Sequence, residues 1–566
     1  MKSKKILSSL IVLSLVTSIG LVGCGEKNNS NDGNSESASS DKSMDKDQHL
    51  NTILDQEPKT IDQSKSTDSY SSQILTNISE GLTRLEADEQ GNTSIEAAGA
   101  ESWETSEDGL TWTFKIRDMK WSNGDKVTAG DYEYGIKRTI NAETGSQYAF
   151  LLFPIKNAEA ANSKKVSLDE VGVKAVDENT LKITLEKPCP YFLKLTYFKV
   201  MHPQNQKFVE ECGERYGSEA DKMIYCGPYK LAEWSHNNKL ELEKNEDYWD
   251  KENVKLDKVT MRIIKEESSR MNELYNGSLD MAGVSKQEWI KKLDETGEYK
   301  VIKGYDGSAT YTYFNQNDKY FKNQKIRQAF MLAEDRQGSV DTLFRGLAEP
   351  AMAWCPPQVA VGDTEFRKVV GDDLISSIKE KNSDPKALLI EGLKEEGLDP
   401  DPSKHNIKYL QSGTDARSKE FAEFSQQNYK NVLGVNIQPE YCEWAIFQSR
   451  TDQMDYQIAS QAWTGDYNDP NTFFDMFLSN AGIVPSGWKS EKYDNLIEEA
   501  NNITDNPEER AKKFLEAEKI LLDETVISPG VWRFKNTYVR NYVKNYTPKI
   551  FGTVDFKGMY ISGRNK

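Results

Sequence analysis

Thr111-Trp-Thr-Phe-Lys-Ile116, and after it Trp121-Ser-Asn-Gly-Asp-Lys-Val-Thr-Ala-Gly-Asp131, is the stretch that decides which fold the chain can adopt. Polar and apolar residues alternate through 111–116, the period of a half-buried strand, and Trp121-Ser-Asn-Gly124 is a turn signal. The same alternation returns at 179–185, through Leu181, Ile183 and Leu185, and at 239–243, through Leu240 and Leu242. Elsewhere the period is helical. Ile326, Ala329, Phe330, Ala333, Val340, Leu343 and Phe344 share a face, with Gly338 arguing against one unbroken helix. Tyr493, Leu496, Ile497 and Ala500 mark one amphipathic helix, and Phe514, Ala517, Ile520 and Leu521 a second, with a break at Asn506-Pro507. Strands and helices alternate without a fixed period, which excludes a solenoid or propeller and predicts an α/β chain of more than one lobe.

The composition fits a soluble globular protein: 566 residues, 37% hydrophobic and 29% charged, enough for several domains. Net charge is −18. The first 24 residues hold Lys2, Lys4 and Lys5 and no acid, so the remainder is more acidic still. Such a surface repels phosphate backbones and anionic lipid, and no locally basic patch stands out, so nucleic acid is not expected as a partner.

The N-terminus reads as an address. Basic residues precede an apolar, Ser-interrupted run, Ile6 to Leu21, that ends in Leu21-Val-Gly-Cys24. This is the layout of a secretory signal, too short and interrupted for a permanent span. Its last four residues resemble the bacterial lipobox, in which Cys24 would be diacylated and become the new N-terminus. An ordinary cleaved signal with an incidental Cys is the alternative. Residues 25–49 are expected to form a flexible linker, rich in Ser, Asn, Asp, Gly and Lys to about Asp47. A lipid-anchored protein on the extracellular face of the cell membrane, of a Gram-positive type of bacterium, is the expectation.

Catalytic signatures are missing. His49, His202, His236 and His405 are isolated, there is no HExxH, GxSxG, GxGxxG or P-loop, and 90 acidic residues make nearby carboxylate pairs inevitable. Cys189, Cys212, Cys226, Cys355 and Cys442 show no CxxC spacing, and their pairing is left open. No enzyme, metal or cofactor is expected.

Several segments resemble the solute-binding proteins of peptide ABC transporters, the oligopeptide- and dipeptide-binding type (extracytoplasmic family 5). Gln56-Glu-Pro-Lys-Thr-Ile-Asp62 is similar to the opening "EPxxLDP", with Gln63 where Pro is usual, and Trp121 to Asp131 to "WSDGxPVTAxD". Gly227-Pro-Tyr, Trp234, Asn245 and Tyr248-Trp249 match "GPYxLxxW…NxxYW", and Ile326-Arg-Gln-Ala-Phe with Asp335-Arg336 resembles "VRQAL…AIDR". Tyr493-Asp-Asn-Leu-Ile and the Glu516-Ala-Glu-Lys-Ile segment match the C-terminal blocks. The resemblance implies a two-lobed, periplasmic-binding-protein-like fold of type II with an additional inserted domain. Carried onto this chain, the first lobe takes residues 50–75, 200–315 and 533–566, the additional domain 76–199, and the second lobe 316–532.

It also implies a binding site. Trp463-Thr-Gly-Asp466-Tyr-Asn-Asp-Pro470 resembles "WxADYxxP", whose Asp pairs with the peptide's α-ammonium. A charge-assisted bond in a site closed to water suits that task. The alternative for Asp466 is a turn carboxylate bonding its own backbone. By the same resemblance Trp444 and Trp463 wall side-chain pockets and Ala462 and Tyr467 flank the anchor. Glu57 edges the slot where the ligand adds as a strand, Gly283, Val284 and Ser285 offer backbone to it, and Tyr134, Tyr311 and Tyr313 face it. Core packing remains the other reading for the aromatic residues. Thr451 and Ser460 stand where some family members place cations for the peptide carboxylate, leaving Arg450 as the nearest substitute. The expected protein is a monomer that captures oligopeptides and delivers them to an ABC permease. A receptor for one signalling peptide and a binder of a non-peptide ligand such as a metal chelate are the alternatives.

Overall fold

The computed structural model describes residues 44–88 and 93–564. The expected signal segment, Cys24 and the linker through residue 43 lie outside the described residues. The rest of the expected linker is already folded: Asp45 N–H donates to Ile561 O at 2.9 Å, and the Gln48 amide exchanges two 2.9 Å bonds with the Ile561 backbone. Among the described residues no helix is long and apolar enough to cross a membrane.

The stretch 111–131 forms the elements its pattern dictates. Thr111–Ile116 is the second strand of a four-stranded antiparallel sheet ordered Ala100–Thr105, Thr111–Ile116, Thr180–Thr184, Val173–Asp177. The chain then turns at Gly124, whose φ of 91° favours glycine, with the Trp121 indole fully buried beneath. Helix Ala129–Ile140 follows at once, its start fixed by Asp131, which accepts from Thr128 N at 2.7 Å and Thr128 Oγ1 at 2.9 Å.

A second four-stranded sheet begins with the N-terminal strand. His49–Ile53 pairs in parallel with Lys258–Arg262, which is followed by Lys239–Lys244 and Tyr229–Ser235. The largest sheet is mixed, in the order Met281–Gly283, Ile527–Arg540, Tyr299–Phe314, Ile458–Thr464, Asn406–Ser412, Asn436–Cys442, with Ala348–Pro350 beside Ile527–Arg540. Two of its strands are unusually long, 16 and 14 residues. They change register between Tyr305 and Ala309. Residues 308–314, which the resemblance assigned to the first lobe, pair along their length with 458–464 of the second.

Gly307 makes that change of register possible. Its φ is 70°, and a Cβ there would lie 2.8 Å from Ile550 O. Gly307→Ala is expected to cost about 1–2 kcal/mol from the left-handed backbone alone, more with the clash. A denaturation midpoint equal to wild type would contradict this.

The helix Gln324–Ala333 stops before Gly338, as that glycine suggested. Asp335 starts a new turn by accepting from Gly338 N at 2.8 Å. Near the C-terminus, Glu491–Asn502 and Pro507–Asp523 are separate helices, the second capped by Asn506 with Pro at its first position. Tyr493, Leu496, Ile497, Ala500, Phe514, Ala517 and Leu521 are buried, as their spacing predicts, while Ile520 is half-buried. The five described cysteines are all free thiols.

Candidate ligand-binding cavity

Strand Ile458–Thr464 ends in a tightly held loop. The Trp463 indole donates to Thr472 O at 2.8 Å, and Asp466 N–H donates to Thr472 Oγ1 at 2.9 Å. Below them Asp469 accepts from Arg510 at 2.6 and 2.8 Å, and both groups are buried. Burial works against the Asp469 charge, but Arg510 and Lys194 more than offset it and hold its pKa below the usual carboxylate value. Tyr467 turns inward: its ring stacks on Tyr191 at 5.3 Å and its hydroxyl donates to Asp475 at 3.0 Å. The loop therefore presents one carboxylate outward, Asp466.

Asp466 faces a cavity of about 440 Å³. Its wall comes from the segment 68–72 (Asp68, Tyr70, Ser72), from Tyr148 and Lys199, and from the 458–466 region (Trp463, Asp466) together with Trp444. Asp466 Oδ1 lies 3.4 Å from the Tyr148 hydroxyl, whereas Oδ2 is buried with no hydrogen-bond partner. Burial raises the pKa of this carboxyl to about 7, with Lys199 and Tyr148 opposing. Lys199 is 3% exposed, and its ammonium donates to Ser72 Oγ at 2.9 Å and Asp68 O at 3.3 Å. Burial lowers its pKa to about 8, against the pull of Asp68 and Asp466. Trp444 stacks on Phe447 at 5.6 Å and keeps its indole N–H unpartnered beside the cavity.

A second chamber of about 580 Å³ shares Asp55, Gln411, Ser460, Gln461 and Arg533 with the first. Gly283, Val284, Ser285 and Tyr311 line it. Along the first cavity, Gln461 to Thr464 pair with Tyr311 to Ser308 on one edge. On the other edge the pairing with Asn406–Ser412 stops at Ser460, so a strand edge lies open to the cavity.

Residues 94–484 match the family model described as bacterial extracellular solute-binding proteins, family 5 Middle. The chain belongs to this family. It is 34% identical over 561 residues to the oligopeptide-binding protein OppA of Bacillus subtilis, covering 98% of this chain and 99% of that one. A solved oligopeptide ABC transporter substrate-binding domain from Bacillus anthracis superposes with a TM-score of 0.85 at 32% identity, covering 92% of this chain and 100% of that one. Listeria monocytogenes OppA bound to peptide gives a TM-score of 0.82 at 29% identity, over 92% of this chain and 100% of that one. The fold is thus the two-lobed one of the family 5 solute-binding proteins.

Within this family 5 fold the expected residues divide. Asp466, Trp463, Ala462 and Trp444 meet in the first cavity, joined by Thr451 and Ser460, and Gly283, Val284, Ser285 and Tyr311 meet in the second. The others line neither chamber. Glu57 accepts from the Trp234 indole at 2.9 Å and from Asn237 N at 2.6 Å, which ties it to the 229–244 hairpin. Arg450 is spent on Glu440 and Asp455, each at 2.7 Å. Tyr313 packs between Tyr311 and Tyr456 in the core, and Tyr467 is sealed as described. Tyr134 sits on the helix Ala129–Ile140, partly buried near Arg138. Tyr148 and Lys199 were not foreseen, although a single lysine inside the apolar run Phe198-Lys-Val-Met201 is itself a sign of a buried charge.

Proposed function

We propose that this protein is an extracellular, lipid-anchored receptor that captures oligopeptides by their free amino terminus and delivers them to an ABC permease. The observation that carries the reading is Asp466, a residue lining the cavity whose carboxylate Oδ2 is buried and without a hydrogen-bond partner. Buried polar groups are normally satisfied, and a ligand ammonium would supply the missing donor and the missing charge. The open edge at Gln461 to Thr464 adds a second support, because an extended peptide could pair with it as one more strand. The relatives named for oligopeptide and dipeptide binding, and the neighbour solved with peptide, favour the same ligand class.

Trp444 and Trp463 would wall the pockets for the first side chains, accepting many shapes through their flat, amphipathic rings. The second chamber would take the rest of the peptide, with Gly283 to Ser285 on one wall. The lobes would close about the register change at 305–309, the ligand favouring the closed state by touching both. Two or more acyl chains on Cys24, at about 0.8 kcal/mol per buried methylene, would hold the receptor to its membrane.

Mass spectrometry of protein purified from membranes tests both parts. The intact mass is expected to include a diacylated Cys24, and acid is expected to release a mixture of short peptides with free amino ends. Release of a sugar or a metal complex, or a mature chain without lipid, would contradict the corresponding part.

A further inference from the structure

Lys199 is a buried cation that no described residue neutralises at contact distance. Its two hydrogen-bond acceptors, Asp68 O and Ser72 Oγ, are uncharged, although an ammonium carries three donors. Among the described residues no carboxylate oxygen lies within the 4.0 Å of an ion pair with its nitrogen. The nearest acids are otherwise engaged or farther off. Asp68 caps the helix Ser69–Ile78, accepting from Ser71 N at 2.8 Å and Ser71 Oγ at 3.0 Å, where the helix N-terminus already stabilises its charge. Asp466 acts on Lys199 only at longer range. The ring of Tyr148 faces the ammonium at 5.3 Å.

Buried charges in folded proteins are paired, and Lys199 lines the same cavity as the unpartnered Asp466 Oδ2. One wall thus offers a free acceptor for an ammonium and, close by, a free donor for a carboxylate. An arriving ammonium alone would place a second cation near Lys199. A ligand end carrying both charges satisfies both groups.

We propose that Lys199 is a specificity-determining residue that pairs with an acidic side chain on the first or second residue of the bound peptide. The proposal rests on the amino terminus docking at Asp466.

The experiment is a calorimetric titration of the full chain with alanine-based tetrapeptides bearing Glu or Gln at position one or at position two. Wild type is expected to bind one Glu peptide about tenfold or more tighter than its Gln counterpart, the worth of a charge-assisted bond. Lys199→Met is expected to erase that preference while still binding the Gln peptides. Equal affinity for Glu and Gln at both positions in wild type, or a preference that survives in Lys199→Met, overturns the proposal and leaves the peptide reading standing. Wild type alone decides the first point should the variant fail to fold. If no peptide of the set binds wild type, the peptide reading falls and this inference falls with it.

Discussion

Asp466→Ala is expected to weaken peptide binding by about 2–5 kcal/mol, the cost of leaving one member of a buried charge pair alone. The ligand ammonium would enter the cavity and miss the carboxylate beside Tyr148, with the like charge of Lys199 still lining the same wall. A loss of under tenfold in calorimetry would reject Asp466 as the anchor. Folding should respond in the opposite direction. The folded-state pKa of Asp466, about 7, lies above the ordinary 3.8, so the folded protein holds more protons than the unfolded chain between these values. The ligand-free protein therefore loses stability at this site as pH rises through that window. Removing the carboxyl should make the empty protein melt higher near neutral pH while abolishing the rise in melting temperature that peptide gives wild type. The same titration predicts that wild-type affinity falls as pH drops below about 7, where the carboxyl takes up a proton before it can meet the ammonium.

Arg510→Met is expected to destabilise the fold by about 3–5 kcal/mol, because it strands the Asp469 carboxylate in the interior. Asp469 is 2% exposed and receives both arms of the guanidinium, whose Nε–H also holds Ala500 O. Lys194, 3.7 Å away and less buried, would remain as a weaker counter-charge, which favours the lower end of the range. Urea denaturation measures the loss, and a change below about 1 kcal/mol, the level of a surface pair, would contradict it. Asp469 lies in the loop that aims Asp466, so the variant that still folds should also release peptide faster.

These two positions mark what could and could not be read in the linear chain. Local patterns carry local structure: the alternation of 111–116, the turn at Gly124 and the Asn506-Pro507 break all became the elements they suggest. The lobed architecture and the cluster of Asp466, Trp463 and Trp444 followed from ordered motifs spread over the chain. Long-range pairing stayed hidden. Glu57 looked available because its partner Trp234 lies 177 positions away, whereas Arg450 is taken up locally, by Glu440 on the preceding strand and by Asp455. Tyr467 stands next to Asp466 in the sequence, but in the loop after the strand its ring went to the core against Tyr191. Lys199 contributes to the cavity from a segment with no motif, through contacts with residues more than a hundred positions earlier.

The most direct measurement is a calorimetric comparison of one peptide, previously found to bind, with its N-acetylated form. Acetylation removes the ammonium charge and leaves nearly all other contacts in place. If Asp466 anchors a free amino terminus, the acetylated peptide should bind at least about a hundredfold more weakly, in line with a lost buried charge pair. Equal affinity for the two would contradict the account at its centre.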